Sequence, residues 1–444
     1  MKIIILSILL MINKSYIILP FKTQINETQL KKDFISSKFY NDIYVNIKVG
    51  SNKQEIPIQI RLHSYSFYII NDLYDGEYKI QKYESSKSKT YESLKKLDSL
   101  FYSDDFTRGS ISTETFYFNN LKINNLTFIS ADFVVKFHHI TQSGVIGLNL
   151  KQYEKKLVEE GNLLNELKKL NLIKKDIFSI NYINDNEGYF IIGEELHNTK
   201  ESTYTENSYK LYKLPNNFFH NEWKIQFDLY KFGNDKIEYN INSLFYPEIG
   251  FIISNSGYLK LVENFFKKYD NICSKKDFYQ ISFYENYLGI SYDYFVCEKE
   301  FNEMEFPSLF FESKKLNLTY EINYKDIWTE YNGKKYFLII FPEKDIDGID
   351  FILGKPFIRK YDFSFEIENK IIYAYDINSP RYNKKWKYFW FWMKVLIFIL
   401  IILIIILGIY AYYMKLKIPR KKRAYEIEDN FNYLPSNNDI KLLN

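Results

Sequence analysis

Apolar and polar residues alternate in short runs over most of this 444-residue chain. Clear examples are DIYVNIKV, EIPIQI, TETFYF and YFIIG, and residues that favour turns lie between them. A period of two, with many β-branched and aromatic residues, is typical of strands that bury one face. The pattern therefore predicts an all-β protein, mainly strands with a few short helices.

Two stretches have the spacing of helices instead. In KQYEKKLVEEGNLLNELKKL, residues 151–170, Leu157, Leu164 and Leu167 fall near helical spacing. The second stretch, GYLKLVENFFKKY, follows Ser256. We expect a helix in each.

A long-range repeat divides the β-rich part of the chain. IPIQIRLHS is followed later by GVIGLNL, and IGFIISNSG is followed later by FILGKPF. Each half thus has an apolar strand that enters a Ser-containing turn, and a later apolar strand that ends at Gly147 or Gly354. The repeat predicts two similar β lobes, residues 36–205 and 206–378.

The N-terminus has the form of a secretory signal. Lys2 is followed by the apolar run Ile3–Ile12, and we assign residues 1–20 to a signal peptide, although no clean small-x-small cleavage motif follows. An N-terminal anchor is the alternative reading. The run is short for that role, because a helix needs about 20 apolar residues to span a bilayer.

A second apolar run lies near the C-terminus. Val395–Met414 contains no charged residue, and tryptophans before it and tyrosines at its far end match the aromatic belts of membrane interfaces. Its length predicts one transmembrane helix, with a juxtamembrane segment at 379–394. Together with a signal peptide it predicts a type I single-pass protein whose ectodomain is lumenal or extracellular and whose tail, 415–444, is cytosolic.

The tail carries one sorting pattern. DIKLL fits the Asp-x-x-Leu-Leu endosomal signal through Asp439, Leu442 and Leu443, although patterns of this length also arise by chance. The predicted location is a membrane of the secretory pathway, the cell surface, or an endosomal or vacuolar membrane.

Charge and cysteine content narrow the class further. With 59 basic and 55 acidic residues, the net charge of +4 is too balanced to indicate nucleic-acid binding. Cys273 and Cys297 are expected to form a disulfide in an oxidising compartment. Glycosylation is predicted at the sequons of Asn26, Asn125 and Asn317, which also arise by chance in an Asn-rich chain.

Several motifs resemble those of pepsin-like aspartic proteases. VGSNKQEIPIQI is similar to the strand before the first catalytic loop, and FYSDDFTRGSISTETF resembles the flap hairpin, with Tyr102 at the flap tyrosine. SGVIGLNL and FILGKPFIRKYDF resemble the two runs that end in Leu-Gly in this family. The motifs occur in the family's order over nearly the whole ectodomain. The resemblance implies a bilobal pepsin-like fold that needs no cofactor and no metal.

The family's chemistry requires one aspartate from each of two Asp-Thr/Ser-Gly loops. Carried over, the first loop is Arg61-Leu62-His63-Ser64 and the second is Ser254-Asn255-Ser256-Gly257. Arg61 and Ser254 therefore replace both aspartates. A guanidinium stays protonated and cannot act as a general base, so the resemblance implies a catalytically inactive member.

The flap supplies a candidate partner for Arg61. Asp104 and Asp105 stand where the family prefers glycine, and we hypothesise that one of them pairs with Arg61 and holds the flap over a cleft that includes Ser64 and Ser256. The alternative is that both aspartates face water.

Three functions remain open on the sequence alone. The first is an inactive membrane-anchored homologue whose cleft binds extended polypeptide. The second is an active aspartic endopeptidase with an atypical active site. The third is a structural surface module whose cleft has closed.

Overall fold

The structure is a computed structural model. It describes residues 16–24, 33–74, 76, 80–102, 105–119, 121–136, 142–150, 161–196, 203–207, 210–213, 219–281, 289–375 and 392–414. Only the backbone is described at 97–102, 105–106, 135–136, 203–207, 210–213, 219–221 and 281. The chain divides into two units, residues 1–380 and 381–444.

The first unit consists mainly of strands. In chain order they are β1 (Ile17–Gln24), β2 (Asp42–Val49), β3 (Gln54–Arg61), β4 (Phe67–Ile70), β5 (Glu92–Tyr102), β6 (Asp105–Phe118), β7 (Leu121–Lys136), β8 (Gly144–Gly147), β9 (Ile177–Tyr182), β10 (Glu187–Ile192), β11 (Thr203–Asn207), β12 (Lys210–Lys213), β13 (Phe219–Glu222), β14 (Lys224–Phe232), β15 (Asp235–Phe245), β16 (Ile252–Ser254), β17 (Cys273–Ile281), β18 (Gly289–Glu298), β19 (Leu309–Ser313), β20 (Leu318–Ile322), β21 (Trp328–Tyr331), β22 (Lys334–Phe337), β23 (Ile339–Pro342), β24 (Phe351–Leu353), β25 (Phe363–Glu366) and β26 (Ile371–Tyr375).

The helices of the described residues are short except for the last. They are α1 (Phe34–Phe39), α2 (Leu163–Lys169), α3 (Ser256–Phe266), α4 (Tyr324–Ile327), α5 (Lys355–Lys360) and α6 (Trp392–Met414). The prediction of a mainly β protein is confirmed. The helix predicted after Ser256 is α3. That predicted at 151–170 is confirmed only at α2, because residues 151–160 lie outside the described residues.

Burial explains why the period of two predicted the strands. Along β2 buried side chains alternate with partly or fully exposed ones, whereas β4 and β8 are buried throughout and consist of continuous apolar runs. Helix α3 begins at a polar cap, where Asn255 Oδ1 accepts from the Tyr258 amide at 3.1 Å.

Two large sheets contain most strands of the described residues. One has the order β11-β26-β25-β9-β10-β1-β2-β3-β8-β4-β7-β6-β5. The other has the order β20-β19-β14-β15-β24-β16-β23-β18-β22-β21, with β17 paired to β18. The strands β25 and β26 come from the end of the unit, so the first sheet joins both halves of the sequence.

The same strand arrangement occurs once in each lobe. In the first lobe β3 runs parallel to β8, and β8 runs antiparallel to β4. In the second lobe β15 runs parallel to β24, and β24 runs antiparallel to β16. The chain therefore has the bilobal fold expected from the repeat, while the predicted lobe boundaries at 36–205 and 206–378 stay a prediction.

Strand β1 lies inside the first sheet. It pairs with β10 on one side and β2 on the other, and its side chains Ile17, Leu19 and Phe21 are buried. The predicted signal peptide, 1–20, therefore overlaps β1 at residues 17–20, and residues 1–15 lie outside the described residues.

Cys273 and Cys297 face each other across the β17–β18 hairpin and form a disulfide. The predicted pairing is confirmed.

In the second unit, α6 has 23 residues and is long and apolar enough to cross a membrane. It contains the predicted span 395–414. Residues 392–394 of the predicted juxtamembrane segment, 379–394, belong to α6. The rest of that segment and the tail at 415–444, with its sorting residues Asp439, Leu442 and Leu443, lie outside the described residues.

Candidate functional site

The first central loop, residues 61–66, begins at the end of β3. Arg61 is the last residue of this strand, pairs with Gly147 of β8, and is only 4% exposed. Its carbonyl oxygen accepts from the Leu148 amide at 2.9 Å. Arg61 therefore lies at the centre of the first lobe, where the resemblance placed the first catalytic carboxylate.

Two glycines mark where the central loops pack. A Cβ on Gly147 would lie 2.4 to 2.6 Å from backbone atoms of Ser64, Tyr65 and Ser66, so β8 approaches the backbone of the first loop too closely for a side chain. A Cβ on Gly354 would lie 2.5 Å from the Ile249 carbonyl oxygen and would overlap that of Phe251. By these contacts Ser64 and Ser66 correspond to Ile249 and Phe251, so the second central loop, residues 246–251, precedes β16.

Strand register identifies the second central position. Ile60 pairs with Ile146, one residue before Gly147, and Phe245 pairs with Leu353, one residue before Gly354. The counterpart of Arg61 is therefore the residue after Phe245, which is Tyr246. Its amide donates to the Leu353 carbonyl at 3.0 Å.

This register corrects the sequence placement of the second loop. Ser254 is the last residue of β16, the strand that corresponds to β4, and it does not occupy the position equivalent to Arg61. Ser256 is exposed at the start of α3, where its hydroxyl donates to Asp345 at 2.6 Å. The run IGFIISNSG was misleading because it is apolar and ends in Ser and Gly, whereas the loop FYPEIG retains neither the aspartate nor the serine or threonine of the family motif.

The two loops touch through His63 and Glu248. The imidazole Nδ1 lies 3.3 Å from Glu248 Oε1, and both side chains are 3% exposed. The same carboxylate oxygen accepts from the Leu62 amide. His63 and Glu248 each lie two residues after the central position of their lobe, where the family motif has glycine.

Tyr246 completes this contact. Its ring stacks on the His63 ring, with centroids 5.3 Å apart and an interplanar angle of 3°. Its hydroxyl donates to Glu222 Oε1 at 3.0 Å. We refer to His63, Tyr246 and Glu248 as the central cluster.

The electrostatics near Arg61 include a second tyrosine. Burial raises the pKa of the Tyr40 phenol, and the nearby Arg61 cation opposes that rise. Ser64 is 2% exposed, and its hydroxyl has no hydrogen-bond partner among the described residues. Arg61 thus places a buried positive charge at the centre of the first lobe.

A group of cations lies beside the second loop. Burial is the largest cause that lowers the pKa of the Lys355 ammonium, to about 8, and the neighbouring Lys38 cation lowers it further. The Asp185 carboxylate opposes this shift. Arg359, one helical turn after Lys355, is hydrogen-bonded to Asp185.

Other predicted site residues have mixed outcomes. Tyr102 and Asp105 face each other at the end of the β5–β6 hairpin, but their side chains and the whole of Asp104 lie outside the described residues. The ion pair of Arg61 with Asp104 or Asp105 therefore stays a prediction. No group of three His, Cys, Asp or Glu side chains that could hold a metal ion occurs within the described residues.

The described sequons lie on the surface. Asn125 and Asn317 are exposed, with φ of 54° and 51°, and Asn26 lies outside the described residues. Glycosylation of these residues stays a prediction.

The two lobes share one strand arrangement, and in each a central loop packs against a glycine at the end of a buried strand. This architecture defines the aspartic-protease class of fold. The family model for eukaryotic aspartyl proteases matches residues 42–374. The chain therefore belongs to the eukaryotic aspartyl protease family. No curated protein matches it.

Proposed function

We propose that this protein is a membrane-anchored, catalytically inactive member of its family that binds an extended polypeptide at the cleft between its lobes. One observation carries the inactivity: Arg61 and Tyr246 hold the two positions at which the family chemistry needs carboxylates. The anchor rests on α6. A cleaved signal peptide would give the type I orientation, with the β lobes lumenal or extracellular.

The chemistry of these residues supports inactivity. A carboxylate dyad shares one proton and holds a water, so one acid and one base are available for the peptide bond. Arg61 stays protonated, and the Tyr246 hydroxyl is hydrogen-bonded to Glu222. Glu248 is the one carboxylate in the loops 61–66 and 246–251, and it accepts from Leu62 and contacts His63.

The experiment is a cleavage assay on the full-length protein in detergent. A mixed peptide library is incubated with it from about pH 3 to 7, where a carboxylate dyad operates, with and without pepstatin. We expect no cleavage from protein that shows a cooperative thermal transition. Pepstatin-sensitive cleavage that Glu248→Gln abolishes would overturn the proposal and support an endopeptidase with an atypical site.

A structural module with a closed cleft is the second candidate. It is favoured by the chain's own residues 39–41, which pair with the second central loop. If the protein cleaves no peptide, a binding assay with labelled peptides distinguishes the two proposed functions, because a module with a permanently closed cleft binds no peptide.

A further inference from the structure

Residues Asp33–Asn41, which we call the strap, precede β2 of the first lobe but pack on the second lobe. The Phe34 ring stacks on Tyr331, with centroids 4.5 Å apart and an interplanar angle of 13°. The Phe39 ring is fully buried. Its neighbours, at centroid distances of 5.4 to 6.4 Å, are Phe251, Phe278 and Tyr292.

The strap continues as an added strand along the second central loop. The Asn41 amide donates to the Glu248 carbonyl at 2.6 Å, and the Gly250 amide donates to the Phe39 carbonyl at 3.0 Å. Tyr40 forms an antiparallel bridge with Ile249. This is the pattern of hydrogen bonds by which a bound peptide extends a sheet.

The opposite side of the loop backbone is already occupied. The Ile249 carbonyl accepts from the Lys355 amide at 2.8 Å, so the Glu248 carbonyl and the Gly250 amide are the groups that face away from α5. The strap takes both. A Cβ on Gly250 would overlap the Lys38 carbonyl oxygen, so the fit depends on glycine at this position.

Side chains of the strap make further hydrogen bonds, to the loop and to the strands beside it. Asn41 Nδ2 donates to the Pro247 carbonyl and to the Tyr182 hydroxyl, each at 2.9 Å. Gln280 of β17 donates to the Tyr40 hydroxyl at 2.9 Å. The strap is therefore held at the loop by its backbone and by the Asn41 side chain, and at β17 by the Tyr40 hydroxyl.

We propose that the strap is an internal ligand of the second central loop, and that a polypeptide binds this edge only by displacing residues 38–41. This inference rests on the proposed function and names its ligand class. The ligand is an extended segment with an aromatic residue at the place of Phe39. The backbone amide of the ligand residue two positions after that aromatic residue donates to the Glu248 carbonyl.

Tethering predicts that such a ligand binds only weakly to the intact protein. A tethered segment competes at an effective concentration in the millimolar range. Weakening the strap should therefore strengthen binding of a free peptide that makes the same contacts. The gain in affinity should be at least about tenfold when an anchoring aromatic ring is removed from the strap.

The test uses the full-length protein in detergent and a labelled peptide with the strap sequence DFISSKFYN. Fluorescence polarisation compares the wild type, Phe39→Ala and the control Tyr279→Ala, which truncates an exposed ring next to buried Phe278 on β17. We expect Phe39→Ala to bind the peptide at least about tenfold tighter than the other two proteins. A peptide with alanine at the Phe39 place should bind none of them.

Equal affinity of the three proteins would overturn the proposal. Hydrogen exchange of the wild type is the second readout, because Asn41 and Gly250 amides that exchange at the rate of an unstructured chain would also overturn it. Peptide cleavage would overturn the proposed inactivity but would not contradict the proposed role of the strap. An unchanged affinity of Phe39→Ala with no cleavage would overturn the role of the strap and leave the proposed inactivity standing.

Discussion

His63 Nδ1 lies 3.3 Å from Glu248 Oε1, and the two residues occupy equivalent positions in the two lobes. Both stand where the family motif has glycine, two residues after the central positions of Arg61 and Tyr246. An imidazole and a carboxylate thus join loops that in the family are linked by carboxylates sharing a proton. The contact is buried, so its first consequence concerns the stability of the interface between the lobes.

Glu248→Ala should destabilise the protein. The substitution leaves the buried Leu62 amide without the Glu248 acceptor, which costs about 1–3 kcal/mol, and it also removes the carboxylate that lies 3.3 Å from His63. We expect a loss of about 2–4 kcal/mol in the free energy of unfolding, measured by thermal denaturation. Glu330→Ala, at an exposed glutamate, is the control. Equal melting temperatures for the two variants would show that the central cluster adds nothing to stability.

Gly354→Ala should be far more damaging than another glycine substitution in the same lobe. A Cβ at this position overlaps the backbone of Ile249 and Phe251, which cannot move as a flexible side chain can. Overpacking of this kind costs at least about 1–3 kcal/mol, and here it also disturbs the second loop.

The control is Gly257→Ala, because a Cβ on this exposed helical glycine meets its nearest atom at 3.3 Å. There we expect unchanged or slightly higher stability, from the better helix propensity of alanine. Similar expression and melting temperature for Gly354→Ala and the wild type would refute the close packing of β24.

The sequence predicted those parts of the fold that depend on local periodicity. Strand β2 is the run DIYVNIKV, and the glycines that end GVIG and FILG lie where the repeat between the halves required them. The disulfide followed from two cysteines in a predicted oxidising compartment. Each of these features is visible within a few residues, or as two copies of one pattern.

The second central position could not be located in this way. Which residue is the counterpart of Arg61 depends on the pairing of Phe245 with Leu353, more than a hundred residues later. The second central loop has none of the family motif's residues at the motif's positions, so the run that ends at Ser254 was matched instead. The sequence distance to Gly354 does not locate the second central position either, because the number of residues between the paired strands differs in the two lobes.

The strap was missed for the same reason. FISSKF is a short apolar stretch, and its partners on β17 and β18 lie more than two hundred residues away. One local signal was present, since Asp33 caps α1 by accepting from the Ser36 amide at 2.9 Å. An acidic cap followed by an apolar run predicts a helix, but not the lobe on which the helix packs.

Lys355→Met should stabilise the protein at neutral pH. Burial lowers the pKa of this ammonium from 10.5 to about 8, so below that pH the folded chain carries a charge that its environment disfavours. At pH 7 we expect Lys355→Met to gain about 1–3 kcal/mol in the free energy of unfolding over the wild type. Between about pH 8 and 10.5 the unfolded wild type binds a proton that the folded wild type does not, so wild-type stability rises with pH relative to the variant.

The measurement is the melting temperature of both proteins from pH 6.5 to about 10, where the unfolding linkage operates. Lys344→Met, at an exposed lysine, controls for a general effect of removing one charge. A difference between Lys355→Met and the wild type that stays constant over this range would contradict a lowered pKa at Lys355.

Glycosylation at Asn125 and Asn317 can be tested without altering either asparagine. Both have positive φ, which few residues other than glycine and asparagine adopt easily, so their replacement would strain the turn. Thr127→Val and Thr319→Val remove the sequons and keep the turn residue. Expressed in a eukaryotic cell, each variant should migrate as though it had lost one glycan, and glycosidase treatment should make all samples equal. No difference in mobility before that treatment would mean that the two sequons are unused.

The N-terminus of the mature protein should lie before Ile17. Strand β1 is hydrogen-bonded on both sides, and removal of residues 17–20 would take away four of its six residue pairs with β10 and the buried side chains of Ile17 and Leu19. Signal peptidase prefers small residues before its cut, and Ser15 is the small residue between the apolar run and β1. We therefore expect cleavage after Ser15, which narrows the predicted signal peptide from residues 1–20 to residues 1–15.

Intact-mass measurement or N-terminal sequencing of the protein purified from eukaryotic cells checks this prediction. The variant Ser15→Pro should block or move the cleavage. A mature chain that begins beyond Gln24 would mean that β1 is dispensable, and another strand would then have to fill its place between β10 and β2.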